Sequence, residues 1–212
     1  IGYCNGGEIE NCYASGTVNG DNEVGGLVGA LVNEGGGYTA TVLNCHSESE
    51  VSGLYDVGGL VGDMGNSGNT ATVTGCYASG SAYGIQRTGG LIGSSTNGTV
   101  SECYVDGVVT RTGSYVGGLI GESSGTVSRC YSNVTFDGGY AGQMGGLIGA
   151  NYGPVSDSYS LGPVNNLDDQ GGDDVGGLVG SNEPAGSIVR CYSTGQVVGA
   201  TNLGGLVGAG LH

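Results

Sequence analysis

Apolar residues recur along this chain in short blocks, and the same blocks come back at a fixed distance. The most conspicuous is Gly25-Gly26-Leu27-Val28-Gly29, a five-residue word, with Val or Ile in fourth place, that occurs seven times. Its first glycines are Gly25, Gly58, Gly89, Gly117, Gly145, Gly176 and Gly204, at spacings of 33, 31, 28, 28, 31 and 28 residues. That regularity marks a structural repeat, in contrast to a single Gly-rich loop built to hold one ligand. The units run approximately over 3–29, 30–62, 63–93, 94–121, 122–149, 150–180 and 181–208.

Aligning the words exposes two further segments in every unit. In the first, an apolar residue stands three places before a Cys or Ser: Ile9 and Cys12, Val42 and Cys45, Val73 and Cys76, Val100 and Cys103, Val127 and Cys130, Val155 and Ser158, Ile188 and Cys191. An aromatic ring follows at once, Tyr13, Tyr77, Tyr104, Tyr131, Tyr159 and Tyr192, with His46 as the exception. The second segment has its apolar centre six residues after the Cys position, at Val18, Val51, Ala82, Val109, Phe136, Val164 and Val197. The third is the Gly word, centred on Leu27, Leu60, Leu91, Leu119, Leu147, Leu178 and Leu206.

Short runs of β-branched or aromatic residues between Gly, Asn, Ser and Asp read as strands between turns, and no stretch keeps a helical apolar period. Three strands in about 28 residues are too few for a propeller blade. They fit one coil of a three-sided parallel β-solenoid (β-helix), in which each strand pairs with its counterpart one unit along. The prediction is therefore an all-β single repeat array, 1–212, of about seven coils of roughly 28 residues and about 34 Å long at the usual strand spacing. Length variation falls before the first strand (Val32 to Thr39, Met64 to Thr70) and before the third (Asn165 to Asp174), where a solenoid can extrude loops without disturbing its core. The doubled glycines are expected to supply positive φ at a tight corner and to let backbone pass where a Cβ would clash.

Charge narrows the candidates for function. Nineteen acidic residues stand against four arginines and no lysine, for a formal net charge of −15. Such a surface repels nucleic acid and anionic membranes, and no apolar run is long enough to span a bilayer. Glycine, at 50 residues, would suggest disorder were it not for the regular apolar columns. Ile1 and Gly2 align with the last two letters of the repeated word, so the sequence reads as part of a longer protein whose targeting signal lies outside it.

Units that join Gly-Gly-Leu-Val/Ile-Gly to a Gly-x-Val-x-x-Cys-Tyr segment resemble the GLUG-motif repeats of large bacterial and archaeal surface proteins, and the likeness covers essentially the whole chain. The resemblance implies an extracellular or cell-surface setting and an adhesin-like scaffold role. Related repeats stand beside the catalytic domain of IgA-specific metallopeptidases, but this chain has no His-Glu-x-x-His, and His46 and His212 are its only histidines. No catalytic residue is carried over, and the chain is read as a non-catalytic structural protein: a rigid adhesin stalk or a self-associating filament.

The candidate chemistry is sparse. Cys12, Cys45, Cys76, Cys103, Cys130 and Cys191 hold one repeat position without any Cys-x-x-Cys pair, which fits stacked buried thiols better than a metal site. Their parallel Cβ vectors disfavour disulfides, with Cys4 outside the column. Glu102, Arg129, Asp157 and Arg190 alternate in sign just before the Cys position and predict an ion-pair ladder. The Tyr column is either a platform for sugars or proteins, or an aromatic ladder that stabilises one side. Thr41, Thr72, Thr99 and Thr126 form a hydroxyl column of the kind ice-binding solenoids use, although Glu8, Pro154 and Ser187 interrupt it and Thr is a common exposed strand residue.

Asp168, Asp169, Asp173 and Asp174 cluster in the longest insertion and give a weak candidate Ca²⁺ loop, although their spacing matches no known Ca²⁺ motif; no other cofactor is expected. Asn97 and Asn133 fit the N-glycosylation pattern. The expected partners are flanking repeats or copies of the chain end to end, and host glycans or proteins. The alternative reading is a carbohydrate-active or carbohydrate-binding β-helix, which requires a groove with at least two carboxylates and aromatic walls.

Overall fold

The computed structural model describes residues 1–34, 39–65, 70–110, 113–166, 174–199 and 201–210, and in them the chain is all-β and winds as a parallel β-solenoid. Every strand pair is parallel, and successive strands of a sheet come from successive repeat units. In the first full turn the strands are Gly7–Glu10, Tyr13–Asn19, Asn22–Gly25 and Val28–Val32. Each belongs to a different sheet, here numbered II, III, IV and I. Sheet I has eight strands because Tyr3–Asn5 precedes the first full turn; sheets II and IV have seven, and their first and last strands are six turns apart. Eight strands at about 4.8 Å give a stack about 34 Å long.

Register follows the repeat columns. In sheet II, Ile9, Val42, Val73, Val100, Val127, Val155 and Ile188 are consecutive partners, all within the core except Ile188, which packs partly buried against it. In sheet III, Val18, Val51, Ala82, Val109 and Phe136 pair in sequence, as do Val164 and Val197 in a short separate ladder. From the third unit onward the sheet III run is broken in two, as in Tyr77–Ala78 and Ser81–Tyr83.

The coil is divided more finely than three strands. The Gly word straddles a corner: Gly25 ends a sheet IV strand and Val28 begins a sheet I strand, with Gly26 and Leu27 in the bend. Leu60, Leu91, Leu119, Leu147 and Leu178 are nonetheless fully buried, and Leu27 nearly so; Leu206, with no described coil beyond it, is 37% exposed. The corner loses no backbone hydrogen bond, because the N–H groups of both Leu27 and Val28 donate to the Leu60 carbonyl, and Leu60 and Val61 repeat this on Leu91. Before each word an inward residue, Val24, Val57, Thr88, Val116, Met144 or Val175, forms a fourth buried column on sheet IV, and Leu203, last in that column, is 47% exposed.

The glycines of the word are required for closeness and not for positive φ. A Cβ on Gly58 would land on the carbonyl oxygen of Val61, and one on Gly59 on the carbonyl oxygen of Gly90 one coil along. Positive φ occurs elsewhere: two residues before the word, in or beside the sheet IV strands, at Glu23, Asp56, Arg87 and Asn202, and at the corner between sheets II and III, where it is adopted mainly by residues with side chains: Asn11, Asn44, Glu102, Arg129, Asp157 and Arg190, with Gly75 the one glycine. Left-handed backbone costs a non-glycine residue roughly 1 to 2 kcal/mol, so something must hold that corner in place.

Candidate functional site

What holds it is the Cys position. At this corner the residue before the Cys donates its N–H to a carbonyl one coil along, as Glu102 does to Ser128 at 3.1 Å, and the ring residue after it donates back, as Tyr104 does to Cys76 at 3.1 Å. The Cys N–H between them points to a side chain. Cys12, Cys45 and Cys76 donate to the Sγ of the next Cys in the column at 3.3 to 3.4 Å, and Cys130 donates to Ser158 Oγ at 3.1 Å. Each thiol in turn donates to the carbonyl two residues before it, at 3.1 to 3.3 Å, and Ser158 does so at 2.7 Å. A small side chain that both accepts and donates is needed here, which is why Ser can replace Cys. All seven cysteines are free thiols; Cys45, Cys76, Cys103 and Cys130 are buried, whereas Cys12 is exposed and Cys191 and Cys4 are partly exposed. Burial pushes the Cys45 thiol pKa up, which leaves it protonated and inert as a nucleophile.

Immediately outside this column the rings form one unbroken stack, Tyr13, His46, Tyr77, Tyr104, Tyr131, Tyr159, Tyr192, with centroids 4.7 to 5.4 Å apart and planes within 11° of parallel. Each inner ring is covered on both faces by its neighbours. A sugar stacks on a ring face, so only the outer faces of Tyr13 and Tyr192 can serve, and these two rings are 71% and 50% exposed. The inner rungs present edges and hydroxyls. Burial and the adjacent tyrosines raise the pKa of Tyr104 and Tyr131, keeping both phenols neutral.

The charge column resolves into two separate pairs: Arg129 Nη2 to Glu102 Oε1 at 2.9 Å, and Arg190 Nε to Asp157 Oδ1 at 2.6 Å. Both pairs are largely exposed, and their contribution to stability is small. The hydrogen bond from Arg190 lowers the Asp157 pKa.

A further cluster lies where sheets IV and I run back to back. Arg87 forms a two-pronged ion pair with Asp56, Nε to Oδ1 and Nη2 to Oδ2 at 2.9 Å in the second contact. The side chains are 30% and 12% exposed. Asp63 stands close by on sheet I, hydrogen-bonded to Ser94, and Glu122 follows two strands along the same column. Burial, reinforced by Asp56, lifts the Asp63 pKa to about 6; burial also raises Glu122. Tyr115 lies beside Tyr152, and burial, with the nearby Glu183, raises the Tyr152 pKa. Thus Arg87 pairs with Asp56 and feels two further carboxylates, Glu122 and Asp63, with two tyrosines at one end. The signal was present in the alignment: Asp56 and Arg87 occupy the same place in consecutive units, two residues before the Gly word, with opposite sign.

Of the other candidates, Asn97 and Asn133 are exposed, Asn97 with positive φ and Asn133 donating to Asp106 at 3.5 Å. Asp168, Asp169 and Asp173 lie outside the described residues; Asp174 accepts a hydrogen bond from Asn202 at 2.9 Å. Among the described residues no group of three or more His, Cys, Asp or Glu side chains has an arrangement that could hold a metal ion. The threonines are in register, Thr41, Thr72, Thr99 and Thr126, beside Thr74 and Ser101, whose hydroxyls bond each other at 2.9 Å. Comparisons with protein-family models, curated proteins and solved structures gave no match.

Proposed function

We propose that the chain is a non-catalytic structural repeat region of an extracellular surface protein, acting as a rigid stalk or as a unit of a filament. One observation carries this reading: the ladders of sheets I, II and IV and the ring stack continue in register from unit to unit, so the chain's organisation serves the rod itself. The partners are flanking repeats or further copies end to end. Tyr192, Leu203 and Leu206 in the last coil and Tyr13 in the first are all more than a third exposed, and covering them would bury apolar surface. Antibody labelling of intact source cells, with surface proteolysis as the parallel measurement, tests the setting; signal only after lysis refutes it. Electron microscopy of the purified chain at high concentration tests the stalk or filament, which requires straight, continuous rods.

The second reading, a carbohydrate-active or carbohydrate-binding β-helix, is favoured by the Asp56, Asp63, Arg87 and Glu122 cluster with Tyr115 and Tyr152 beside it. Asp63 and Glu122 are two strands apart, about 9.6 Å along the stack, close to the wider carboxylate separation used by inverting glycosidases. A polysaccharide-cleavage screen and a glycan array, each repeated with Asp63→Asn, decide between them. Turnover or affinity lost in the variant supports this reading, and inactivity across both screens removes it.

A further inference from the structure

The aromatic stack has a chemical capacity that packing alone does not use. Four successive pairs, Tyr77–Tyr104, Tyr104–Tyr131, Tyr131–Tyr159 and Tyr159–Tyr192, hold their rings at 5.0, 5.0, 5.1 and 4.9 Å with planes 3° to 7° from parallel. The inner rungs are partly exposed, so an oxidant in solution reaches them. Other readily oxidised side chains are scarce on the surface: the chain has no Trp, Met64 and Met144 are fully buried, and four of the seven thiols are buried. Tyr3, Tyr55 and Tyr83 are more exposed, at 53%, 43% and 44%, but among the described residues none of them stacks on another ring.

We propose that neighbouring rungs of this ladder are sites of oxidative tyrosine coupling, which would staple consecutive coils covalently. The oxidant is hydrogen peroxide acting through a haem peroxidase. Each of two phenols gives up one electron and one proton, leaving two phenoxyl radicals. These join through ring carbons ortho to the oxygens, and the hydrogens on the two bonded carbons shift to oxygen, restoring both phenols. One C–C bond forms, and the two electrons and two protons reduce one peroxide to two waters. The ladder favours this over diffusion-limited coupling because the partner ring is already stacked with its centroid 5.0 Å away, a proximity effect of the kind that raises effective concentration in intramolecular reactions.

The sequence of rungs makes the inference specific. His46 separates Tyr13 from Tyr77, with its ring 5.4 Å from one and 4.7 Å from the other, so Tyr13 has no tyrosine neighbour and is excluded from coupling within the molecule. The test treats dilute purified chain with peroxidase and peroxide, isolates the monomer, and maps cross-linked peptides by mass spectrometry alongside dityrosine fluorescence. The expected result is links between tyrosines one coil apart, none to Tyr13, and loss of the Tyr104–Tyr131 and Tyr131–Tyr159 peptides in Tyr131→Phe, which keeps the ring and the stack. The same reaction in denaturant should lose the one-coil pattern. Links confined to tyrosines outside the ladder, links only between molecules, or no coupling while free tyrosine couples in the same mixture would each overturn the proposal.

Discussion

Replacing Cys103 by Ala and by Ser asks whether the Cys column is held by its hydrogen bonds or by its apolar character. Cys103 is 1% exposed; its Sγ accepts the Cys76 N–H at 3.4 Å and donates to the Ser101 carbonyl at 3.1 Å. Alanine deletes both partners and orphans a buried backbone N–H, at a cost of about 1 to 3 kcal/mol. The vacated thiol volume adds about 1 kcal/mol, for about 2 to 4 kcal/mol in all. Serine keeps an acceptor and a donor at the same place, and Ser158 already does this, with 3.1 and 2.7 Å contacts. Its cost should be about 1 kcal/mol or less, since both hydrogen bonds are replaced and not lost. Cys103→Ser should therefore be clearly more stable than Cys103→Ala, the reverse of the order expected for a thiol valued only for its apolar packing. Equilibrium urea unfolding, followed by far-UV circular dichroism and tyrosine fluorescence together, gives the midpoints, and equal slopes license the comparison. If Cys103→Ala matches or exceeds Cys103→Ser, the hydrogen-bonded account of the column is wrong.

The three ion pairs should respond unequally. Arg129→Ala removes an exposed pair and should cost under about 1 kcal/mol, whereas Arg87→Ala strands the largely buried Asp56 beside Asp63 and should cost about 2 to 3 kcal/mol. Double-mutant cycles with Glu102→Gln and Asp56→Asn separate the coupling energies. Asp63, whose pKa rises from 3.8 to about 6 on folding, binds its proton more tightly in the native state, so its contribution is complete below about pH 4 and is lost as pH rises through about 6. Asp63→Asn should flatten that part of the stability curve measured by thermal melts between those pH values. Gly59→Ala places a Cβ on the Gly90 carbonyl oxygen and should prevent the native stack from closing, seen as loss of the cooperative melt. Thiol titration should find Cys12 reacting fast in the native chain, with Cys45, Cys76, Cys103 and Cys130 reacting only on unfolding.

The columns were legible in sequence because a parallel in-register stack turns repeat spacing directly into neighbour relations. Once Val42, Val73 and Val100 are aligned as letters, they are also partners in space. The fourth sheet was legible too, in Val24, Val57, Val116, Met144 and Val175 just before the word, but it was masked by treating Gly-Gly-Leu-Val-Gly as one strand. Periodicity shows that a residue recurs. It does not show where the chain bends, and here the bend is set by the clash of a would-be Cβ with a carbonyl, which no hydropathy pattern reveals. The same limit hid which corner needs positive φ, because Asn11, Glu102 and Arg129 adopt it while the glycines of the word do not.

The seam cluster was legible only in part: Asp56 and Arg87 share one repeat position with opposite sign, but nothing in that column points to Asp63 or Glu122. Asp56, Asp63, Arg87 and Glu122 are contributed by two columns on two sheets, and only the back-to-back run of sheets IV and I brings those columns together. Within one column, opposite signs can be read directly: Glu102–Arg129 and Asp157–Arg190 are exposed and of small energetic consequence, whereas Asp56–Arg87 is largely buried. Burial changes the stakes: a carboxylate lifted to about 6 beside Arg87 costs stability at neutral pH, and the rod does not need that arrangement, since the corresponding positions in later units are Ala150, Ser181 and Ala209. An interaction that costs stability, occurs in only a few units and sits at a joint between sheets is where local function on a repeat scaffold should be sought. By these criteria the seam, and not the aromatic ladder, is the place on this rod for a ligand to bind.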